Sequence, residues 1–419
     1  MDQNRLMPLE EAQAIILEHV GALSSETVPL TGAYNRTLAA DVVSDIPVSP
    51  FDNSAMDGFA FTAADAVAAT PDAPVHLHVV AHIPAGRTYD APVAPGECVR
   101  IMTGAALPAG VDTVEKIENV TFTGQGLLGD DLVLDHPVKA GANVRYAGEE
   151  FKAGEVALTA GTVVGPAALG LLASVGCTGV PVRRKPRVGI LSLGTELVDA
   201  AVRPGPGQIR NSNGPALYGC ALRAGCAPTL YPILPDREHD IRAALSRAAA
   251  ECDFVISSGG ASAGDFDFVT QSAQELGQVF FKYVNMRPGK SQTFALVDGT
   301  PYLGLAGNPA AALVGFEMLA SPALMCMQGR ADVFHPRQTA RLAVDARKKG
   351  TRWNYQRATL VRDEDGSLLA RPYRNQSSAL FGTLHRGDCL VEIPGDVNLI
   401  PAGSLVSCVR LDIPAGTVV

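Results

Sequence analysis

The stretch "RVGILSLGTEL", residues 187–197, sets the fold. From Val188 to Leu193 it runs apolar or small without a helical period, then stops at Gly194-Thr195-Glu196. A short continuous apolar run of this kind reads as a strand covered on both faces. Similar runs recur at 229–234, 253–258, 279–285 and 300–305, mostly separated by helical patterns near 214–224, 238–250, 267–277 and 309–320. The alternation predicts an α/β layer with a parallel sheet and helices on its faces.

Open α/β sheets bind ligands beyond the carboxyl ends of their strands. The five runs end at Thr195-Glu196, at Asp236, in the glycine-rich "SSGGASAGDFDF" (257–268), at Arg287 and Lys290 of "MRPGK", and at Asn308-Pro309. One sheet edge thus collects carboxylates (Asp265 and Asp267 among them), cations, flexible backbone and a helix start. Glycine-rich turns and helix N-termini present N–H groups to anions. Carboxylates beside a bound phosphate suit Mg²⁺, a hard cation that takes oxygen ligands. Arg287 and Lys290 would offset ligand charge. Taken singly, Glu196 and Asp236 also suit positions near helix starts, the glycines suit a turn, and Asn308-Pro309 suits a cap and first helical residue. Their joint placement at one edge predicts a site.

Outward from this layer, the proline-bounded "VPVRRKPRVGI" (180–190) marks a boundary. Before it, one amphipathic helix carries Ala12, Ile15, Ile16 and Val20; residues 46–139 read as short strands with Pro/Gly turns, and 140–178 as a further β-and-helix piece. After it, residues 330–419 return to short strands, as a small β barrel or sandwich. The 419 residues carry a net charge of −9, which argues against general nucleic-acid binding. Residues 330–419 run the other way, with 13 Lys/Arg against 9 Asp/Glu, so an anionic ligand would draw on this part. Eight scattered cysteines without a CxxC pair read as reduced thiols of a cytoplasmic protein. The acidic N-terminus does not read as a signal peptide, and no apolar run reads as long and charge-free enough to span a membrane. His76, His78 and His82 share one strand parity, which reads as a solvated face lacking an acidic partner for a metal. No nucleophile–base arrangement, Walker loop or GxGxxG stands out.

The motifs "FDNSAMDGFA", "RIMTGAALPAG", "GANVRYAGEE", "RVGILSLGTEL", "ISSGGASAGDFD", "MRPGK", "GLAGNP" and "NQSSALF" come in an order and spacing that resembles the molybdopterin molybdenumtransferase family, the MoeA type, whose eukaryotic counterpart is the E domain of gephyrin. The resemblance spans nearly the whole chain. It implies a discontinuous linking domain (1–45 and 140–178), a β-rich domain (46–139), a central parallel α/β molybdopterin-binding domain of MogA-like kind (179–327) and a C-terminal β-barrel (328–419). It implies an elongated homodimer, supplied by a molybdopterin adenylyltransferase, that turns adenylylated molybdopterin and molybdate into molybdenum cofactor and AMP with Mg²⁺. By motif, the family's functional acids fall on Asp57, Glu196, Asp236 and Asp267, the last three also being the metal candidates. Thr103, Arg145, Pro309, Arg357 and Ser378 match further family positions, and Gly259, Gly260, Ser262, Arg287, Lys290 and Asn308 complete the substrate-binding set.

Several positions depart from the family pattern. Ala306 stands where proline is usual in "GLPGNP", Arg287 where lysine precedes "PGK", Ser291 where a second proline follows it, and Glu150 where aspartate follows "GE". Tyr283 occupies a position that usually holds lysine, with Lys282 one step away and so on the opposite strand face unless the register shifts. These departures leave open a paralog with altered oxyanion or pterin selectivity, or a binding scaffold without turnover. The remaining puzzle is "SPFDNSAMDGFAF" (49–61), small polar groups enclosed by Phe51, Phe59 and Phe61. Its length and composition exclude an interior strand and suggest a loop at a domain crossing, anchored by the phenylalanines. The resemblance places Asp57 of this loop in a site completed across a dimer.

Overall fold

The computed structural model describes residues 5–260 and 268–417. Its centre is a seven-stranded sheet in the order Leu6–Met7, Gly277–Val284, Ser291–Val297, Thr300–Leu305, Phe254–Ser258, Arg187–Ser192, Ala227–Leu230. Six strands run parallel and Ser291–Val297 runs antiparallel between two of them. The sheet is therefore mixed, where the apolar runs predict a purely parallel one. The cause is a tight hairpin at Asp298-Gly299, both at positive φ (48° and 82°), as a two-residue turn of the primed type requires. Because Ser291–Val297 is the one strand that runs back, entered from the turn after Arg287 and left by that hairpin, the carboxyl ends of the five predicted strands still share one edge.

Both faces of the sheet are covered. Helices Glu238–Glu251 and Phe268–Glu275 pack Ile241, Leu245, Val269 and Ala273 on one side. Helices Asn213–Arg223 and Pro309–Met327 cover the other. The latter is 19 residues long with a mean hydropathy of 1.6, so by length and composition one apolar run does suffice to cross a bilayer, contrary to the sequence reading. Here 89% of it is buried within the protein as the central core helix. A single π turn at Phe316–Ala320 precedes Pro322, whose missing N–H disfavours a regular α turn there. The turn holds the buried Glu317, which pairs with Arg223 and with His335 (2.8 Å).

The N-terminal strand and helix Leu9–Glu18 belong to this layer, not to the linking piece. Leu6 and Met7 add to the sheet edge beside Tyr283 and Val284, and Leu9, Ala12, Ile15 and Ile16 join its core. The linking module is instead zipped from outgoing and returning chain: Ser25–Pro29 with Gly179–Arg183, Val42–Val43 with Val156–Leu158, and Asn53–Ser54 with Val144–Arg145. Residues 179–183 thus complete it, and the α/β layer begins at Arg187. Between the two arms, six strands from Gly58 to Leu134 form the β-rich unit.

Gly58–Phe61 lies between two partners in that unit with all four residues buried, so part of the opening loop is an interior strand after all. Gly58 permits it, since a Cβ there would sit 2.0 Å from the Glu115 carbonyl oxygen. Phe59 and Phe61 anchor the segment from the core, whereas Phe51 is exposed. The His76–His82 strand presents its histidines to solvent as expected, but His78 does have an acidic neighbour, Asp131 at 3.1 Å. No group of three metal-ligating side chains occurs among the described residues.

The C-terminal strands between Arg337 and Arg410 close into a five-stranded barrel. Tyr355, Leu390 and Val409 of the barrel share the core of the α/β layer. At the entry to the layer, Asp253 accepts hydrogen bonds from Arg184 (2.7 Å to Nη2) and from the Arg187 backbone (2.9 Å) and guanidinium (3.0 Å), which hold its carboxyl well below the usual range against the opposing effect of burial. A group whose folded-state pKa is depressed stabilises above its unfolded pKa and loses that stabilisation as pH falls. Asp253→Asn is therefore expected to cost roughly 2 kcal/mol in urea melts at pH 7, with the gap to wild type narrowing below about pH 4. Equal stability at pH 7 would refute this role.

Candidate functional site

The sheet edge carries two reciprocal loop contacts. Asp236 Oδ2 accepts the Thr195 N–H (3.0 Å) and hydroxyl (3.2 Å), while the Asp236 N–H donates to Thr195 Oγ1 (3.1 Å). Asp236 thus ties two strand ends together and does not cap helix Glu238–Glu251. Glu196 lies against Gly194, where a Cβ would stand 2.6 Å from its carboxylate, and makes no side-chain hydrogen bond among the described residues. Gly259 and Gly260 are required sterically: at φ of 92° and 70°, Cβ atoms would meet the Leu193 carbonyl at 2.1 Å and Val269 at 2.4 Å. Ser262 and Asp267 lie outside the described residues.

Asn213 was not legible as a site residue. It donates from Nδ2 to Ser258 Oγ and to the Gly307 carbonyl, both at 2.8 Å, and its buried Oδ1 has no partner among the described residues. It lines a small cavity of about 80 Å³ with Glu196, Gly259, Gly307 and Pro309. Next to it, Asn308 stands at the N-cap position and Pro309 opens the helix. The Asn308 side chain makes no capping bond; the Ala310 N–H donates instead to the Ser378 carbonyl of the barrel region (2.8 Å).

That bond closes a cleft of about 600 Å³ between sheet edge and barrel, lined by Arg287, Lys290, Ser291, Asn308, Arg352 and Ser378. The Lys290 ammonium stands 4.8 Å from the centre of the Tyr283 ring, so the aromatic residue at the departing position faces a cation. The strand pairing is also irregular between Val279 and Tyr283. Beyond the Arg287-Pro288 turn lies Arg357, which is buried and has no carboxylate partner among the described residues. Its Nε donates to Thr383 Oγ1 (3.1 Å) and Nη2 to the Ser377 carbonyl (2.8 Å), and desolvation pushes its pKa down to about 10. At neutral pH it stays a cation.

Asp57 and Thr103 come together elsewhere. Asp57 Oδ1 accepts both the N–H and the hydroxyl of Thr103 at 2.7 Å. These bonds, aided by the charge of Arg100, hold its carboxyl below the usual range. Arg145 lines an adjoining cleft of about 610 Å³ with Ser49, Phe51, Asn53, Gly104 and Glu150. That cleft shares no lining residue with those at the sheet edge. Within one chain the Arg145 cleft and the sheet-edge cavities are therefore separate.

Comparison with known proteins follows this division. The profile of the MoeA N-terminal region (domain I and II) matches residues 7–176, that of a probable molybdopterin binding domain residues 189–325, and that of the MoeA C-terminal region (domain IV) residues 339–411. These define a multidomain enzyme of the transferase class built around a molybdopterin-binding fold. A protein of Bacillus subtilis (strain 168) named molybdopterin molybdenumtransferase is 35% identical over 97% of this chain and 94% of its own length. Molybdopterin molybdenumtransferase 2 of Mycobacterium tuberculosis is 35% identical over 94% and 97%. The crystal structure of the molybdopterin biosynthesis MoeA protein of Pyrococcus horikoshii OT3 superposes with a TM-score of 0.83 at 28% identity, covering 97% of this chain and all of that one. The chain belongs to the MoeA-type molybdopterin molybdenumtransferase family.

Thr103→Val removes one hydrogen bond to the Asp57 carboxylate, so the Asp57 pKa should rise. A carboxyl-carbon NMR titration of aspartate-labelled protein would show it, and an unchanged titration would contradict the assigned cause.

Proposed function

We propose that this protein inserts molybdate into adenylylated molybdopterin with Mg²⁺-dependent release of AMP, yielding molybdenum cofactor. The observation that carries the reading is the cleft between sheet edge and barrel. It sets Arg287, Lys290 and Ser378 beside glycine turns and a helix start, within reach of carboxylates. Arg287 and Lys290 are suited to bind a tetrahedral dianion, with Ser378 supplying a hydroxyl. Gly259, Gly260 and the helix opening at Pro309 are suited to a phosphate chain.

The donors at the sheet edge fit a hard cation. The Glu196 carboxylate, the orphaned Asn213 Oδ1 and the second oxygen of Asp236 are all oxygen ligands without partners among the described residues. Glu196 and Asp236, with Asp267, would hold Mg²⁺, which when bound supplies charge neutralisation at the phosphoanhydride. Asp236 ties the two strand ends together through Thr195, and Glu196 would orient a water for P–O cleavage. Asp57, held as the anion by Thr103, would serve the partner subunit of a homodimer, since its own sheet edge has a separate set of lining residues. The substrate would come from a molybdopterin adenylyltransferase. Eight free thiols suit a cytoplasmic setting.

Wild-type protein should release AMP from adenylylated molybdopterin at a rate that rises with added molybdate. Absence of that rise in folded, substrate-binding protein would overturn the reading. For the shared site, Asp57→Ala and Asp267→Ala proteins should each lose at least about a hundredfold in rate. Mixed after subunit exchange, they should recover up to about a quarter of wild-type turnover, the share expected for one intact site in half of the dimers. No recovery in verified heterodimers would place Asp57 within its own chain.

A further inference from the structure

On the barrel side of the Arg287-Pro288 turn lies a second cavity, about 560 Å³, of whose lining the reaction as described uses only Arg287. Among the described residues its wall carries six cations, Arg287, Arg347, Lys348, Lys349, Arg357 and Arg374, and no carboxylate. Of these, Arg347 is neutralised by Asp345 (2.9 Å) and the Lys348 ammonium donates to the Gly350 and Gly395 carbonyls (2.8 Å each). Lys349, Arg357 and Arg374 have no acidic partner among the described residues, and Arg287 reaches only the Lys349 carbonyl at 3.4 Å. Uncompensated cations around a concave, partly desolvated space favour an anionic occupant.

The lining is also rich in amides. Asn354 and Asn398 make no side-chain hydrogen bond among the described residues, and Gln356 donates from Nε2 to the Arg347 carbonyl while its Oε1 has no such partner. Unspent donors and acceptors of both kinds suit a heterocycle with alternating N–H and carbonyl edges more than a bare oxyanion, and the volume far exceeds what a tetrahedral oxyanion fills. Position adds the rest. The small sheet-edge cavity adjoins the interdomain cleft at Ala306–Pro309, and that cleft shares Arg287, Pro288 and Gln376 with the barrel-side cavity. The three form one series from sheet edge to barrel.

We propose that the barrel-side cavity binds the pterin-dithiolene end of the substrate, with Lys349, Arg357 and Arg374 facing its thiolates and Asn354, Gln356 and Asn398 its ring edges. The inference rests on the reading of the substrate as adenylylated molybdopterin. With the nucleotide at the sheet edge, the phosphoanhydride crosses the Lys290–Ser378 cleft and the thiolates reach the Arg287 wall, beside the cations proposed to hold molybdate. Lys349 and Arg374 then determine which pterin species is retained, without taking part in AMP release chemistry.

The test uses the full chain under anaerobic conditions and two probes, adenylylated molybdopterin and AMP. Both target side chains are exposed, so Lys349→Gln/Arg374→Gln should fold normally, and Lys349→Arg/Arg374→Lys keeps the charge. The Gln pair should bind adenylylated molybdopterin about tenfold more weakly, with a shallower salt dependence, while AMP affinity stays within about twofold of wild type. The charge-keeping pair should restore most of the loss. Unchanged affinity for adenylylated molybdopterin would overturn the proposal. So would a parallel loss of AMP affinity, which would place the nucleotide in this cavity. Molybdate-stimulated AMP release by wild-type protein is read separately: if it is absent while the selective binding loss holds, the cavity assignment stands and the insertion reading falls.

Discussion

The structure depends on a joint only two residues long. Met286 and Arg287, just after a central sheet strand, pair in parallel with Trp353 and Asn354 of the barrel. A few residues on, the Ala310 N–H at the start of the core helix donates to the Ser378 carbonyl (2.8 Å). These contacts are backbone to backbone, so they fix the barrel against the carboxyl edge of the sheet whatever the side chains do. Arg287 sits on this joint and Lys290 follows it by three residues. The shared core of Tyr355, Leu390 and Val409 with the α/β layer gives the joint its stiffness.

The joint also bears on where charge is placed in a protein of net charge −9. Positive charge is concentrated in the C-terminal part, and the joint delivers it to the one sheet edge where glycine turns and a helix opening already face outward. Arg357 shows the cost. Its guanidinium is buried with no carboxylate partner among the described residues, held by Thr383 Oγ1 and the Ser377 carbonyl, and desolvation pulls its pKa down. Such a group is unfavourable in a stable core and useful beside an anionic ligand.

How much of this was legible follows from the range of each signal. Apolar runs and helical periods are local, so the α/β alternation and the common strand edge could be read directly. The hairpin that makes the sheet mixed was missed although Asp298-Gly299 announces it, because Ser291–Val297 opens on the polar Ser291-Gln292-Thr293 and leaves only a four-residue apolar run. The burial of Gly58–Phe61 was missed for the opposite reason: its polar neighbours masked a strand whose backbone fits against Glu115 only because residue 58 lacks a side chain. Docking of the N-terminal helix on the α/β layer, the orphaned Asn213 oxygen and the cations of "RKKG" (347–350) depend on contacts distant in sequence, which no periodicity reports. The resemblance supplied Asp57, Thr103 and Arg145. The structure adds that Asp57 and Thr103 are hydrogen-bonded to each other and that Arg145 lines a cleft sharing no lining residue with those at the sheet edge.

The central claim is that the sheet-to-barrel joint builds the oxyanion site. Tungstate, isosteric with molybdate and a strong anomalous scatterer, locates such a site directly. In crystals of the full chain grown with millimolar tungstate, the account predicts an anomalous peak in the interdomain cleft within about 4 Å of the Arg287, Lys290 or Ser378 side chains. It should be absent from crystals of an Arg287→Ala/Lys290→Ala protein. A dominant peak elsewhere, in the Arg145 cleft or on the outer barrel surface, with none between sheet and barrel, would contradict the account.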